Sequence, residues 1–505
     1  MKHRRKFIIL GLFAFLSVLF QTAFSSQVST YLDSFEKRMT EFTLDNGMKF
    51  LVLERHEAPV VSFQTYVNVG SVDEVKGITG ISHIFEHMAF KGTSVIGSKD
   101  FKVESKALDK VDKDFIAFKA ERLKADKADK AKLEQLEKQF KDAQLQEDKY
   151  IVHDQFEQIL TIEGASGLNA FTGDDATGYV SSFPSNKLEL WMYMESSRFY
   201  DPVLREFYKE RDVIMEERRM SENNPRSKLS EDFLSVAFKS HPYGEPVIGH
   251  MSDLQSITME DARAYYKKHY VPSNMTVAIV GDVNPQQVKE LAKVYFGRMP
   301  NRPKPEPVET VEPPQDGEKR LVLQEAAQPM IMIGYHVPSM NHPDNVVLDT
   351  LADILSSGRT SRLYKSMVKE KKIAVSVSAS TGYPGDKYPA LFVFSVNPSR
   401  GHTNQECEEE IYSQIEKLKT EPVTSDELQK AKTGARASLI RRLESNSGLA
   451  SQLNSYQVIT GDWRNLFKRI DAIEKVSAED IQRVANKYFT VQNRTVGCIE
   501  TKQAQ

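Results

Sequence analysis

Apolar and polar positions set out the first elements of the chain. Phe42-Thr43-Leu44 leads into Asn46-Gly47, a hairpin-turn signal, and Met48 to Leu53 returns from it, so two paired strands are expected. Val60 to Val69 reads as a third strand. The period then lengthens. Gly80-Ile81-Ser82 opens a helix through His83-Ile84-Phe85-Glu86-His87, Met88-Ala89-Phe90 carries its apolar side onward, and Gly92 is the expected stop. Leu108, Val111, Phe115 and Phe118, then Leu133, Leu136, Phe140 and Ala143, recur at spacings of three and four. They predict two amphipathic arms of an antiparallel helical hairpin inserted at 102–158, with Ala125 to Asp129 between the arms. The bland reading of so charged a hairpin, an insertion packed on its own host, outweighs that of a docking arm. Gly167 to Ser182 reads as two short strands around Thr172-Gly173-Asp174-Asp175, and Leu188 to Phe199 and Glu206 to Met220 read as helices.

The pattern also repeats. Thr258-Met259-Glu260-Asp261, Lys268 and Asn274 to Val277 match Ser477-Ala478-Glu479-Asp480, Lys487 and Asn493 to Val496, a separation of 495 − 276 = 219. Each copy starts like a capping box and ends in a strand. Nearer the front, Phe63 to Val69 aligns with Met332 to Pro338, a separation of 335 − 66 = 269. The difference, 269 − 219 = 50, is about the size of the charged hairpin, which therefore belongs to the first copy alone. The prediction is an α+β chain of two homologous α/β repeats, each a mostly antiparallel sheet covered by helices. The repeats divide at 27–298 and 320–505, joined by a semi-rigid linker at 299–319 that holds Pro300, Pro303, Pro305, Pro307, Pro313 and Pro314. In the second repeat the counterpart of the His83–His87 helix falls at about Val346 to Leu355. It carries Asp349 and Asp353 but no histidine.

Composition narrows the setting. Residues 1–26 read as an export signal, with Lys2, Arg4, Arg5 and Lys6 before the apolar run Phe7 to Phe20 and small residues at Ala23 to Ser25. That run is too short for a spanning helix. A periplasmic or secreted location in a bacterial envelope is expected, with no stable membrane span once the signal is cleaved. A net charge of −3 and a pI near 6.5 give no nucleic-acid footprint. Cys407 and Cys498 are the only cysteines, too few for a disulfide framework, and two separate buried thiols are expected over a pair.

The chemistry concentrates at His83 and His87. Four residues apart on a helix, they lie one above the other and can hold one cation, with Glu86 placed to reach a water on it. This is the H-x-x-E-H order of inverzincins. A catalytic zinc site needs a third protein ligand and an open position. Glu210 and Glu217, two helical turns apart, face one way, so one can bind the metal while the other orients a ligand. Taken alone, those glutamates read more simply as a charged helix face.

The chain resembles the M16 (pitrilysin-like) metallopeptidases, in the short two-repeat form of mitochondrial processing peptidase subunits. The resemblance runs through His83 to Thr93, Leu168 to Thr172, Glu210 to Glu217 and His241-Pro242-Tyr243-Gly244. It implies one Zn2+ per chain on His83, His87 and Glu217, with Glu86 as the base and Glu210 supporting the ligands. It implies that Asn169, Ala170, Phe171 and Thr172 hold a peptide substrate as an added strand, and that the two repeats form half of a clam-shell. His241 is expected to pack near the site without ligating. Two departures stand out. His87 to Glu217 spans 217 − 87 = 130 positions, long for the family, and the strand Leu391 to Asn397 lacks the arginine that active members present to the substrate carbonyl; Tyr388 and Arg400 only flank it. The implied function is zinc-dependent hydrolysis of peptides or unfolded polypeptides. The alternative is a weak peptide-binding chamber subunit supporting an active partner, and a homodimer or a pairing with an M16 sister chain could supply what is missing.

Overall fold

The computed structural model describes residues 35–502, so the export signal expected at 1–26 lies outside the described residues. Two sheets organise the chain. The 6-stranded one contains β1 (Met39–Thr43), β2 (Lys49–Glu54), β3 (Val60–Val67), β4 (Ser166–Thr172), β5 (Thr177–Pro184) and β6 (Met275–Gly281), in the order β1-β2-β6-β3-β5-β4. The 5-stranded one contains β7 (Lys319–Glu325), β8 (Met330–Val337), β9 (Ala374–Tyr383), β10 (Ala390–Pro398) and β11 (Arg494–Thr501), in the order β7-β11-β8-β10-β9. Laying β2-β6-β3-β5-β4 on β7-β11-β8-β10-β9 matches every neighbour. Even the parallel pair β2 with β6 has its counterpart in β7 with β11.

The longer helices of the first repeat are α1 (Ile81–Met88), α2 (Phe101–Arg122), α3 (Lys130–Glu147), α4 (Gln155–Ile162), α5 (Leu188–Tyr200), α6 (Phe207–Glu222), α7 (Pro225–Ala237), α8 (Met259–His269) and α9 (Pro285–Tyr295). Those of the second are α10 (Pro343–Ser356), α11 (Asn404–Thr420), α12 (Ser425–Glu444), α13 (Asn446–Thr460), α14 (Asn465–Lys475) and α15 (Ala478–Tyr488). The α+β fold of two like halves is therefore the one observed. Residues 301–316 between them carry no regular element.

Side chains reproduce the duplication. Thr258 with Asp261 and Ser477 with Asp480 form full capping boxes at the starts of α8 and α15. Asn274 Nδ2 donates to the carbonyls of His269 and Asn68, and Asn493 Nδ2 to those of Tyr488 and His336. The sheet registers correct the front offset. Tyr66 stands opposite Thr276 and Gly334 opposite Thr495, so the separation is 334 − 66 = 268, one less than expected. The physical reason is the two-residue period of a strand, since a slip of one exchanges its faces. At 268, Phe63 falls on Ile331, and both face the helix-covered cores of their own repeats.

The opposite face of each sheet is covered by the other repeat. Leu51, Leu53, Ala278 and Val280 of the first sheet pack with Leu449, Leu453, Trp463 and Phe467 from α13 and its surroundings. Met330, Met332, Leu391 and Val393 of the second pack with Leu229, Phe233 and Ala237 of α7. Polar contacts finish the joint. Asp175, in the turn between β4 and β5, accepts the Tyr243 hydroxyl and the backbone N–H groups of Asp386 (2.7 Å) and Lys387 (3.0 Å). His241 packs here too, against Phe238 and Tyr388, and shares a cavity with Glu74 and Thr79 at the approach to the H-x-x-E-H helix. Its Nδ1 accepts the Tyr243 N–H in a tight turn, which fixes the ring in the joint. Cys407 and Cys498 are separate buried thiols.

The charged hairpin lies on its own host. Phe115 and Phe140 enter the first core with Tyr208, and Arg211 stacks over Phe115 at 4.4 Å. Both hairpin arms are thereby fixed to α6.

Candidate metal centre

Helix α1 is held at its start by carboxylates. Glu74 is buried and accepts the N–H groups of Gly80 and Ser82, both at 2.7 Å, satisfying donors that have no partner within the helix. Asp253 accepts the N–H groups of Gly77 and Thr79 and the Thr79 hydroxyl. Ile81, Ile84, Phe85 and Met88 bury one face in the core. The other face presents His83, Glu86 and His87, half-buried. The helix stops at Met88, four residues before the expected Gly92, and a turn leads on to that glycine.

Across from α1, helix α6 brings in Glu210 and Glu217. His83 Nε2 lies 3.7 Å from Glu217 Oε2, and His87 Nε2 lies 3.9 Å from Glu217 Oε1. One donor atom from each of the three residues falls within 4.8 Å of the others. Two donors bound tetrahedrally at about 2.1 Å would be about 3.4 Å apart, so the two His–Glu spacings need to close by only a fraction of an ångström. Two imidazoles and one carboxylate are also the donor chemistry zinc takes in catalytic sites. The residues fit the ion.

The two histidines differ in protonation. Burial, and then His87, lower the His83 pKa to about 4, which leaves a neutral imidazole at pH 7. Burial pulls His87 down as well, but the hydrogen bond with Glu210 and the charges of Glu217, Glu210 and Glu86 outweigh it. His87 Nδ1 and Glu210 Oε2 are 3.3 Å apart. With Nδ1–H donating to that carboxylate, the His87 Nε2 lone pair is turned toward Glu217. Burial works to raise the Glu210 pKa, yet His87 and Lys91 bring it below the ordinary value. Glu86 supplies no atom to the cluster and makes no hydrogen bond among the described residues.

Strand β4 forms an edge of the first sheet and is bonded on one side only, to β5, while α1 packs against both strands. Ala170 and Leu168 turn into the core; Asn169 and Phe171 are exposed on the opposite face. The Phe171 ring lies over Gly178, where an added Cβ would come within 2.3 Å of it, so the glycine makes room for the aromatic. The Thr172 hydroxyl is buried without a partner.

Sequence reasoning passed over Lys91, Glu206 and Arg205. The available signal was the i, i+4 pair Glu206 and Glu210, like charges on one helical face that require a cation between them. A second cluster, Asp148, His153 and Glu206, also brings three donor groups together. Its imidazole uses its two nitrogens on opposite sides, at 3.2 Å to Glu206 and 3.3 Å to Asp148, and Lys209 meets the Glu206 carboxylate at 2.6 Å. It is an ion-pair node.

In the second repeat, α10 and α12 face each other across a cavity of about 560 Å3. There Asp349 and Asp353 stand four apart on α10, as His83 and His87 do on α1, and Arg436 of α12 lines the same space. Arg469 pairs with Asp349, so cations of the protein occupy the acidic face. Burial, and then Asp349, push the Asp353 carboxyl up to about 6 from 3.8. A carboxyl raised on folding favours the folded state most below its unfolded pKa and loses that contribution as pH rises through about 6. Asp353→Asn is therefore expected to raise Tm at pH 8 and to leave it nearly unchanged at pH 4. Scanning calorimetry at the two pH values checks this, and a shift equal at both would count against it.

With the fold and site in view, comparison with known proteins gives a consistent family. Residues 49–148 match the family model Insulinase (Peptidase family M16), and residues 256–435 match Peptidase M16 inactive domain. The chain belongs to the M16 peptidase family. Zinc protease PqqE of Helicobacter pylori is 29% identical over 498 residues, covering 97% of each chain. An uncharacterized zinc protease of Mycobacterium leprae is 23% identical over 454 residues, covering 88% of each. A protease from Helicobacter pylori has a similar structure, with a TM-score of 0.76 at 28% identity over 92% of this chain and 99% of that one. The first half of the periplasmic protease PqqL from Escherichia coli has a TM-score of 0.65 over 92% of each chain, a likeness of fold alone at 16% identity.

Proposed function

We propose that this chain is a zinc-dependent endopeptidase that hydrolyses peptides or unfolded polypeptides in a bacterial cell envelope. The observation that carries the reading is the convergence of His83, His87 and Glu217, from two helices, beside an edge strand with one side free. Zinc, when held by these three residues, supplies Lewis-acid polarisation of a carbonyl and lowers the pKa of water to about 7. The chain's own residues do the rest. The free edge of β4 binds an extended peptide through main-chain hydrogen bonds, with Asn169 and Phe171 on the accessible face and Ala170 and Thr172 completing the strand. Glu86 takes the proton of the attacking water and returns it to the leaving amine. Glu210 holds His87 in the tautomer that frees Nε2. The envelope location is supported by the pattern of residues 1–26, and the zinc chemistry by homologues named zinc proteases.

A second reading, a peptide-binding subunit that relies on an active M16 partner, draws on the absence of arginine from β10 and on Tyr388. The Tyr388 hydroxyl is engaged by the Val308 N–H in the linker. Among the described residues no helix is long and apolar enough to cross a membrane. The deciding experiment is hydrolysis of a quenched peptide library by the purified chain before and after chelation, with one equivalent of zinc restored. Activity lost on chelation and regained with zinc is the expected result. A zinc-loaded chain that cleaves nothing until a sister M16 chain is added would favour the second reading.

A further inference from the structure

Lys91 stands just past the end of α1, outside the set of residues the motif assigns, and is held at both ends. Its Nζ is 2.6 Å from Glu210 Oε1 and 3.4 Å from Glu206 Oε2, and its carbonyl accepts Arg205 Nη1 at 2.6 Å. Each anchor leads to the helical hairpin. Arg205 Nε donates to Glu104 of α2 at 2.7 Å, and the Glu206 N–H donates to Glu147 of α3 at 3.0 Å. The other oxygen of Glu210 faces His87 Nδ1. A continuous line of hydrogen bonds and ion pairs thus runs from the inserted hairpin, through Lys91, to a histidine of the metal centre.

The energetic sense of the arrangement follows from charge. Glu206 precedes the first residue of α6 and Glu210 lies in its first turn; both carboxylates meet Lys91, and without a cation they would repel each other. Lys91 is only 15% exposed and Glu210 13%, so solvent screens their attraction little. A lysine removed from this position frees the Glu210 carboxylate to rotate away from His87. Side chains that orient a ligating histidine affect metal affinity without touching the metal.

We propose that Lys91 is a positioning residue of the metal centre: it fixes the Glu210 carboxylate against His87 and ties the zinc affinity of the site to the helical hairpin. The inference rests on the reading of His83, His87 and Glu217 as a zinc site. It gives the insertion a role as a brace for α6, independent of any binding partner.

The test measures zinc affinity of the purified chain by competition with a chromophoric chelator, together with the visible absorption spectrum of the cobalt-substituted form. Lys91→Met is expected to weaken zinc binding about 10- to 100-fold and to change the cobalt spectrum. Lys91→Arg, which keeps the charge, is expected to recover most of the affinity. Glu206→Gln, which removes the far anchor of Lys91, is expected to weaken binding in the same direction by a smaller factor, and serves if Lys91→Met does not fold. Unchanged affinity and spectrum in the folded variants overturn the proposal. If the unsubstituted chain itself binds no zinc, the functional reading fails instead, so the two failures are distinct.

Discussion

Glu86→Gln is expected to lower kcat/KM for peptide hydrolysis by about a thousandfold while leaving one zinc per chain in place. General acid–base catalysis contributes roughly 10²–10⁴ in rate, and a thousandfold loss corresponds to about 4 kcal/mol of transition-state stabilisation. The binding half of the expectation comes from geometry. Glu86 lies on the same half-buried face of α1 as His83 and His87 but adds no donor to the three-residue cluster. The glutamine has the same shape and cannot take a proton from water. Steady-state kinetics on a quenched peptide, beside atomic absorption for zinc, reads both halves. Full activity in a zinc-loaded Glu86→Gln chain would remove Glu86 from the mechanism and send the search for a base elsewhere on the cleft.

Arg205→Met is expected to destabilise the fold by about 3–5 kcal/mol, the cost of breaking a buried ion pair from one side. Arg205 is 1% exposed, and its partner Glu104 is 0% exposed. The guanidinium also donates to the carbonyls of Lys91, Ile96 and Thr93, so one substitution strands a carboxylate and three acceptors. Even the backbone is shaped around it: a Cβ at Gly97 would come within 2.6 Å of Arg205 Nη1, at a φ of +93 that favours glycine. Because whole domains are stable by only about 5–15 kcal/mol, the variant should lose Tm by many degrees or accumulate as aggregate. Calorimetry or denaturant titration measures this. An unchanged melting curve would mean the buried network contributes little.

Much of this arrangement was legible from local pattern. The His83–His87 spacing, the capping-box copies and the hairpin periodicity are short-range signals, and each reports on residues within a few turns of one another. The strand register is not legible in the same way, because an apolar run such as Phe63 to Val69 looks alike in either phase; only the pairing with β6 decides which face is buried. The partners of His241 are less legible: one of them, Tyr388, comes from the other repeat, 147 positions away by 388 − 241. The role of Lys91 is hidden in the sequence for the same reason. Its meaning lies in Glu206, Glu210 and Arg205, more than a hundred positions away, and long-range ion pairs leave no periodic trace.

Each sheet of this protein wears the other repeat's helices as its outer coat. Neither half therefore has a finished surface of its own: apart from its sister, the first would expose Leu51, Leu53 and Val280, and the second Met330, Leu391 and Val393. Such bare apolar faces are aggregation surfaces. With covers exchanged in this way, the halves are expected to melt as one cooperative body, and the proline-rich strap joins two pieces that are also held by packing.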